Sequence, residues 1–546
     1  MNGQAVIKNQ WLWGPSRDLL FGCGVWYIAF FIFLIFAGPG LRSIQPLSLA
    51  PFLILLVATP HYGATLLRVY EHRSERKAYA FFTVWTTVAL IGLFVWGVQD
   101  ALVGTLLFTA YLTWSPWHYT GQNYGISVLF MRRRGITAQR EKRWLYATFI
   151  LSYALTFLVM HEESEVPRGL AEGGVHLARL GIPKWFSSYA IPATAGIWAG
   201  ALVVTAALMR KQSRLRELFP VALLVLSQAV WFTLPDLARY FGDSGLSVEA
   251  LDFDYRAFYF NWIVLAHAMQ YLWITSYYAK KEEKRSGGNG RYFGKTLLAG
   301  NVAWLAPAML FAPQILGGAV SELTVALLVA SLVNLHHFIL DGAIWKLRDS
   351  RVANLLIRPS NPEEATKPPR KKSHWRGTRL FWTGSAALLA IAAFEFAALR
   401  LAIPAWLDHE QPEPVESLLD GLAWMARDSA IARTQLGHTL IAQERPADAL
   451  RAFRRSHTLT PEAGTLAQIA RLEFQLGMPE SAAATIEKAV ELAPDRSDIL
   501  RLAGEIQSAS GHPGHARAYF KRALKINPDS VPAAEGLRKL GPHTGY

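Results

Sequence analysis

The chain has 546 residues, of which 52% are hydrophobic and only 18% charged. This composition is typical of a membrane protein with a water-soluble appendage. The net charge of +14 would suggest nucleic-acid binding in a soluble protein, but the Lys and Arg residues lie in short segments between apolar runs, which indicates membrane topology instead. The single cysteine, Cys23, excludes a disulfide framework.

Apolar runs of about 20 residues, the length that a helix needs to cross a bilayer, recur along most of the chain. About eleven of them lie near residues 19–37, 48–68, 78–98, 101–123, 144–160, 188–209, 218–235, 257–278, 294–314, 319–341 and 379–402. The sequence therefore predicts an all-α fold whose main part, residues 1–357, is a ten-span membrane helix bundle.

The basic loops all follow even-numbered spans, as in RVYEHRSERK from Arg68 and RRRGITAQREKR from Arg132. The intervening loops, such as HEESEV from His161, are acidic or neutral. Because basic loops stay on the cytoplasmic side, this pattern predicts a multi-pass bacterial inner-membrane protein. Its N-terminus would be cytoplasmic and its C-terminus extracytoplasmic.

A Pro- and Lys-rich segment at residues 358–378 has few apolar residues and is predicted to be a cytoplasmic linker. The apolar run 379–402 that follows it is predicted to be an eleventh, tethering span.

The remaining residues, 403–546, change to an Ala-, Leu-, Glu- and Arg-rich composition with a period near 34 residues. Pro461, Pro494 and Pro528 recur at this period, and so do the turn glycines Gly477 and Gly511. The segment 428–530 resembles about three tetratricopeptide repeats, in which small residues let two helices approach closely and a proline ends the second helix. The resemblance implies an α-solenoid that binds an extracytoplasmic protein or peptide.

Five histidines fall within the predicted spans, where an ionisable group costs about 2.5–3.5 kcal/mol and so indicates function. They are His61, His118, His267, His336 and His337. Each lies roughly 10–20 Å along its helix from the first cationic residue on the inner side, at 1.5 Å per residue. We expect them to share one depth in the membrane.

Further polar residues fall on the same helix faces as these histidines, at spacings of three, four and seven residues. Asn334 and Asp341 flank His337, Ser115 and Gln122 flank His118, and Gln270 and Tyr271 follow His267. A polar cavity between the second, fourth, eighth and tenth spans is therefore predicted.

Neutral imidazole and carboxylate groups together suit a transition metal. The five histidines are predicted to bind it, Asp341 to bind or orient a ligand, and Gln122, Gln270, Asn334, Tyr271 and Ser115 to position ligands or substrate. We favour non-haem iron because open coordination positions in a dry cavity suit oxygen chemistry on a hydrophobic substrate. Haem held by a pair such as His118 and His267 is an alternative, as are copper and a purely structural polar network.

Three short motifs support this reading: PHYGA from Pro60, WHYTGQNYG from Trp117, and the pair His336–His337. They resemble the integral-membrane Brp/Blh family of β-carotene dioxygenases, although Thr65 stands where that family has a second histidine. The resemblance implies intramembrane iron and cleavage of a polyene by O2. The broader expectation is a metal-dependent oxygenase or oxidase that acts on a hydrophobic or lipid substrate.

Two other functions remain open. The architecture also resembles membrane glycosyltransferases that use lipid-linked sugars, for which an outer-loop acid such as Asp236 or Asp252 would be essential. Alternatively, the bundle is a non-enzymatic scaffold or haem-binding protein for an envelope assembly.

Overall fold

The computed structural model describes residues 10–37, 52–70, 79–163, 175–241, 253–282, 289–316, 321–345, 356 and 376–541. The regular elements of this part are helices, apart from one isolated bridge between Glu162 and Ile182. The all-α prediction is confirmed for these residues. The predicted linker lies almost entirely outside them.

The helices fall into a bundle and a C-terminal solenoid. In the bundle they are α1 Val25–Ala37, α2 Thr59–Tyr70, α3 Thr86–Gln99, α4 Ala101–Arg133, α5 Gln139–His161, α6 Lys184–Gln212, α7 Leu215–Gln228, α8 Leu234–Phe241, α9 Phe253–Glu282, α10 Asn289–Leu310, α11 Pro313–Leu316 and α12 Glu322–Ile344. A short helix, Pro15–Arg17, precedes α1, and π-helical turns lie at Asp18–Gly22, Ile54–Ala58, Phe81–Trp85 and Ala229–Thr233.

The prediction of about eleven spans is not confirmed. Within the described residues, 6 helices are long and apolar enough to cross a membrane, or 7 if a pair bent by 56° near the N-terminus counts as one span. The predicted spans that fail contain α2, α4, α9 and α10. A physical reason is that α4 and α9 carry histidines and several polar neighbours, which lower the mean hydropathy of each helix, whereas α2, with 12 residues, is too short to cross a bilayer.

Two glycines fix the position of α2 in the bundle. A Cβ atom on Gly63 would lie 1.7 Å from the Thr296 carbonyl oxygen, and one on Gly300 would lie 1.9 Å from the Thr59 carbonyl oxygen. The backbones of α2 and α10 are therefore in direct contact, as small residues allow in membrane helix pairs. This crossing lies half a turn from His61.

The solenoid consists of helix pairs. After α13 Arg376–Ala397 and α14 Ile403–Asp408, the helices are α15 Pro412–Trp424, α16 Ala430–Ala442, α17 Pro446–Leu459, α18 Ala463–Gln475, α19 Pro479–Leu492, α20 Ser497–Ala509, α21 Pro513–Ile526 and α22 Val531–Lys539. Tight turns with positive φ at Glu444, Gly477 and Gly511 connect the two helices of successive pairs. Ala449, Ala482 and Ala516, at the start of each second helix, are fully buried.

The helix of the predicted eleventh span continues into the solenoid. It runs through a π-helical turn, Ala398–Ala402, to Asp408 without a break, across the predicted boundary at residue 403. Ala398 and Ile403 belong to the same hydrophobic core as Val415. This helix is thus the first helix of an extra pair with α15, and it joins the solenoid as a packed element, whereas a simple tether would make no such contacts.

The solenoid also contacts the bundle directly. The Ala430 backbone N–H donates a hydrogen bond to the Glu322 carboxylate at 3.2 Å, where α12 begins. The Arg427 guanidinium forms an ion pair at 2.5 Å with Glu395 of α13, the helix that packs against α10 of the bundle. In addition, α11 packs against α17.

Candidate metal centre

Four of the five predicted histidines meet inside the bundle, each from a different helix. His61 comes from α2, His118 from α4, His267 from α9 and His337 from α12. The ring centroids of His61 and His337 are 4.2 Å apart, those of His61 and His267 are 4.8 Å apart, and His118 lies 5.0 Å from both His267 and His337. Three of the four are 1–2% exposed, and His118 is only slightly more open. We call these four residues the histidine cluster.

Ring nitrogens of the cluster have no hydrogen-bond partner although they are buried. They are Nε2 of His61, His118 and His337, and both nitrogens of His267. Leaving a buried polar atom unpaired costs about 1–3 kcal/mol, so four such rings together call for an explanation. Imidazole nitrogens that face one another without protein partners are suited to hold a metal ion.

Two groups of possible ligands share His337. One consists of His61, His267 and His337, and the other of His118, His337 and Asp341. Within each group the ligand atoms lie within 4.8 Å of one another. The residues present therefore fit an ion that His337 binds together with the members of either group.

Asp341 is held so that one carboxylate oxygen faces the cluster. Its Oδ1 accepts hydrogen bonds from the Tyr271 hydroxyl at 2.6 Å and the Thr65 hydroxyl at 3.1 Å. Its Oδ2 lies 3.5 Å from Nε2 of His337 and 3.9 Å from Nε2 of His118. Anchoring of this kind orients a carboxylate that binds metal or supports a binding histidine.

The other predicted positioning residues lie around the cluster without entering it. Gln122 donates to the His267 carbonyl oxygen at 3.1 Å and to Gln270 at 3.0 Å, and so ties α4 to α9. Asn334 accepts from the Tyr62 hydroxyl at 2.7 Å. The Ser115 hydroxyl donates to the carbonyl oxygen of Tyr111, one turn earlier in the same helix, at 2.8 Å. Pro116 follows Ser115 directly.

The structure does not bring His336 to the cluster. Its Nε2 lies 2.8 Å from the Thr87 hydroxyl of α3 and 3.4 Å from the Tyr70 hydroxyl. The helical step of about 100° between adjacent residues turns His336 away from His337, as the helix geometry requires. Its ring therefore has hydrogen-bonding partners of its own on α2 and α3.

Three residues that contact the site were given no role there by the sequence analysis, although Thr65 lies on the same polar stripe of its helix as His61. The Thr65 hydroxyl lies 2.9 Å from Nδ1 of His337, the indole of Trp345 donates to the Tyr271 hydroxyl at 2.9 Å, and the Tyr119 ring stacks on His267 with centroids 4.1 Å apart. Thr65 is one helical turn from His61, and Tyr119 is adjacent to His118. These spacings could have indicated Thr65 and Tyr119 as residues of the site. The sequence offered no such indication for Trp345, which lies beyond the predicted tenth span.

Neither acid proposed for glycosyl transfer lies in a described outer loop. Asp236 is in α8 and is 1% exposed, and Asp252 falls outside the described residues. The structure thus gives that function no site of the expected kind in the part of the chain that it describes.

The comparisons with known proteins concern the solenoid. Residues 463–496 and 499–530 match the tetratricopeptide repeat family. The chain carries tetratricopeptide repeats. The two matched segments correspond to the pairs α18–α19 and α20–α21, and the preceding pair, α16–α17, has the same helical lengths and turn.

Solved structures with similar helical repeats are only distantly related in sequence. The first TPR of Spaghetti (RPAP3) bound to an HSP90 peptide is 19% identical, with 20% of this chain and 90% of that chain covered and a TM-score of 0.20. YrrB, a TPR protein with an unusual peptide-binding site, is 18% identical, with 29% and 81% covered and a TM-score of 0.23. The Cut9–Hcn1 tetramer is 14% identical, with 86% and 74% covered and a TM-score of 0.24. No curated protein sequence matches this chain significantly.

The comparisons lend no support to the resemblance between the bundle and the carotenoid dioxygenases. The feature of the bundle that indicates its function is therefore the geometry of the histidine cluster.

Proposed function

We propose that the bundle is an integral-membrane, metal-dependent enzyme, and specifically a non-haem iron oxygenase or oxidase of a hydrophobic or lipid substrate. The tetratricopeptide repeats would recruit a protein or peptide partner on the extracytoplasmic side. The observation that carries the proposal is the convergence of four histidines with unpartnered ring nitrogens, and of an anchored carboxylate, in the interior of an apolar bundle.

The outer surface of the bundle supports a membrane location. Large apolar side chains are exposed along its peripheral helices, among them Trp85, Val88, Trp185 and Ile197, each between 59% and 71% exposed. Large apolar side chains exposed in such number are unfavourable in water and are normal where lipid covers them.

The packing within the cluster favours a single small ion over haem. The four rings contact one another directly, and His118 also stacks on Phe338 with centroids 4.3 Å apart. A porphyrin held between two of the histidines would need a slot as wide as the macrocycle, and these rings occupy that space. A single ion needs only small movements of the side chains toward a common centre.

Each residue of the site would have its own role. His61, His118, His267 and His337 would hold the ion, and Asp341 would bind it or fix an imidazole. A bound iron ion would supply the chemistry with O2. Tyr271 and Thr65 would hold the Asp341 carboxylate in place, and Tyr119 and Phe338 would exclude water from the rings.

Metal analysis with an optical spectrum of the purified full-length protein tests this proposal. We expect iron in protein prepared without chelator, and we expect His337→Ala to lose most of it because His337 belongs to both ligand groups. His336→Ala is the matched control, since the adjacent histidine faces α3, and should keep the metal. Wild-type protein free of iron would contradict the assignment. An absorption spectrum typical of a porphyrin would show that the histidines bind haem and not a non-haem iron ion.

A further inference from the structure

One edge of the solenoid exposes two large apolar side chains. Trp424, the last residue of α15, is 88% exposed, and Ile431, in the first turn of α16, is 74% exposed. They flank the loop that joins the two helices, and we call this pair the lower edge. Apolar side chains as exposed as these are stabilised when lipid or another apolar surface covers them.

An ion pair determines where this edge lies along the apolar helix formed by α13 and α14. The helix formed by α13 and α14 runs to Asp408, and α15 then returns along it. Arg427, three residues after Trp424, pairs with Glu395, which precedes the helix end by 13 residues, or about 20 Å at 1.5 Å per residue. The lower edge is thereby brought back to a level inside the apolar helix Arg379–Asp408, one of the candidate spans.

A second contact, on a different helix, gives the same level. The backbone N–H of Ala430, the residue before Ile431, binds the Glu322 carboxylate. Glu322 is the first residue of α12, another candidate span. The contact with Glu322 thus places the loop 424–431 where the apolar segment of α12 begins, and the ion pair with Glu395 places it beside the apolar helix Arg379–Asp408.

We propose that the lower edge of the solenoid lies in the lipid headgroup layer of the membrane, with Trp424 and Ile431 inserted between lipids. Trp is enriched at this level because its ring is apolar and its N–H can bind headgroups or water. The contact continues the interface that the solenoid already makes with α12 and α13. It orients the repeats on the membrane surface and leaves the opposite edge free for a partner. The inference rests on the membrane location in the proposed function.

Site-directed spin labelling of the full-length protein in phosphatidylethanolamine–phosphatidylglycerol vesicles tests this inference. Cys23 is the single cysteine and is fully buried, so it can be replaced by Ala or, if that harms folding, left in place as an unreactive thiol. Trp424→Cys and Ile431→Cys carry the nitroxide. Collisions with O2, which partitions into lipid, are compared with collisions with a water-soluble nickel chelate.

Two control positions separate the possible outcomes. Leu476→Cys lies on the opposite edge of the solenoid, at the turn between α18 and α19, and is 36% exposed. Ile197→Cys lies on α6, which the proposed function places in lipid. We expect labels at 424 and 431 to favour O2 by several-fold over the label at 476, and to resemble the label at 197.

Each contrary result has a distinct meaning. If labels at 424 and 431 are as open to the nickel chelate as the label at 476 while the label at 197 is in lipid, the inference is wrong and the bundle is still in the membrane. If the label at 197 is also open to the chelate, the membrane location itself fails, and the inference fails with it.

Discussion

At the residue scale, Thr65 shows how a small side chain organises the histidine cluster. Its hydroxyl lies within hydrogen-bond distance of Nδ1 of His337, of the Asp341 carboxylate and of the Tyr271 hydroxyl, the last at 2.6 Å. Because Nδ1 of His337 is engaged in this way, Nε2 is left to face the other rings. Thr65 therefore fixes both the orientation of His337 and the carboxylate that follows it one turn later.

Thr65→Val tests this role with an almost unchanged side-chain volume. The valine removes the hydroxyl and leaves the Asp341 carboxylate with fewer donors, so we expect metal affinity to fall about 10–100-fold, as is usual when a residue that supports a ligand is lost. Competition with a chelator measures the change. Thr65→Ser, which keeps the hydroxyl, should restore most of the affinity. Equal affinity in wild-type and valine proteins would show that the hydroxyl does not hold the ligands.

At the element scale, the crossing of α2 and α10 determines where His61 can lie. Gly63 and Gly300 allow the two backbones to touch, and each would place a Cβ atom less than 2 Å from a carbonyl oxygen of the other helix. The sequence signal for this crossing was weak, because isolated glycines are common in membrane helices. The polar stripes were easier to recognise, since a helix period of 3.6 residues places them on one face.

Gly63→Ala should separate α2 from α10 and withdraw His61 from the cluster. Overpacking at such a contact typically costs 1–3 kcal/mol or more, and here the obstacle is backbone that cannot rotate away. We expect a lower melting temperature in detergent and loss of bound metal. Gly92→Ala on α3 is the matched control, since nothing lies within 4 Å of its added Cβ atom. Normal metal content in Gly63→Ala would contradict the role given to the crossing.

At the scale of the whole molecule, the solenoid and the bundle are joined by packed contacts. The helix α13–α14 belongs to both parts, and the pairs Arg427–Glu395 and Ala430–Glu322 close the junction. Side chains of Arg427 and Glu395 are 21% and 18% exposed, so the ion pair is largely withdrawn from water. The α12 helix has Glu322 at this junction and His337 about 22 Å away along its axis.

Arg427→Ala leaves the Glu395 carboxylate without its partner in apolar surroundings. Removing one partner of a fully buried pair costs about 3–5 kcal/mol, and the partial exposure here lowers that figure. We expect faster amide hydrogen exchange in α15 and α16, measured on the full-length protein, and unchanged metal content. The double variant Arg427→Met with Glu395→Met removes both charges and should restore most of the protection. Unaltered exchange in Arg427→Ala would mean that the ion pair does not hold the junction.

The helical class, the tetratricopeptide repeats and all four residues of the histidine cluster could be predicted from the sequence. These follow from local regularities, namely a 34-residue period, a helical period, and the cost of placing ionisable groups in apolar runs. The count of spans did not follow, because α4 and α9 carry polar residues of the interior and so resemble ordinary helices in composition, and because α2 is shorter than a membrane span.

Which histidines meet depends on how the helices pack against one another. His336 and His337 are adjacent in sequence, but the helix turns them to opposite neighbours, so that one binds Thr87 and the other enters the cluster. The same holds for Thr65, whose importance depends on His337 and Asp341 approaching from another helix. The physical reason is that spacing along a helix fixes the direction of a side chain relative to its own axis, whereas its partners depend on how the helices pack against one another.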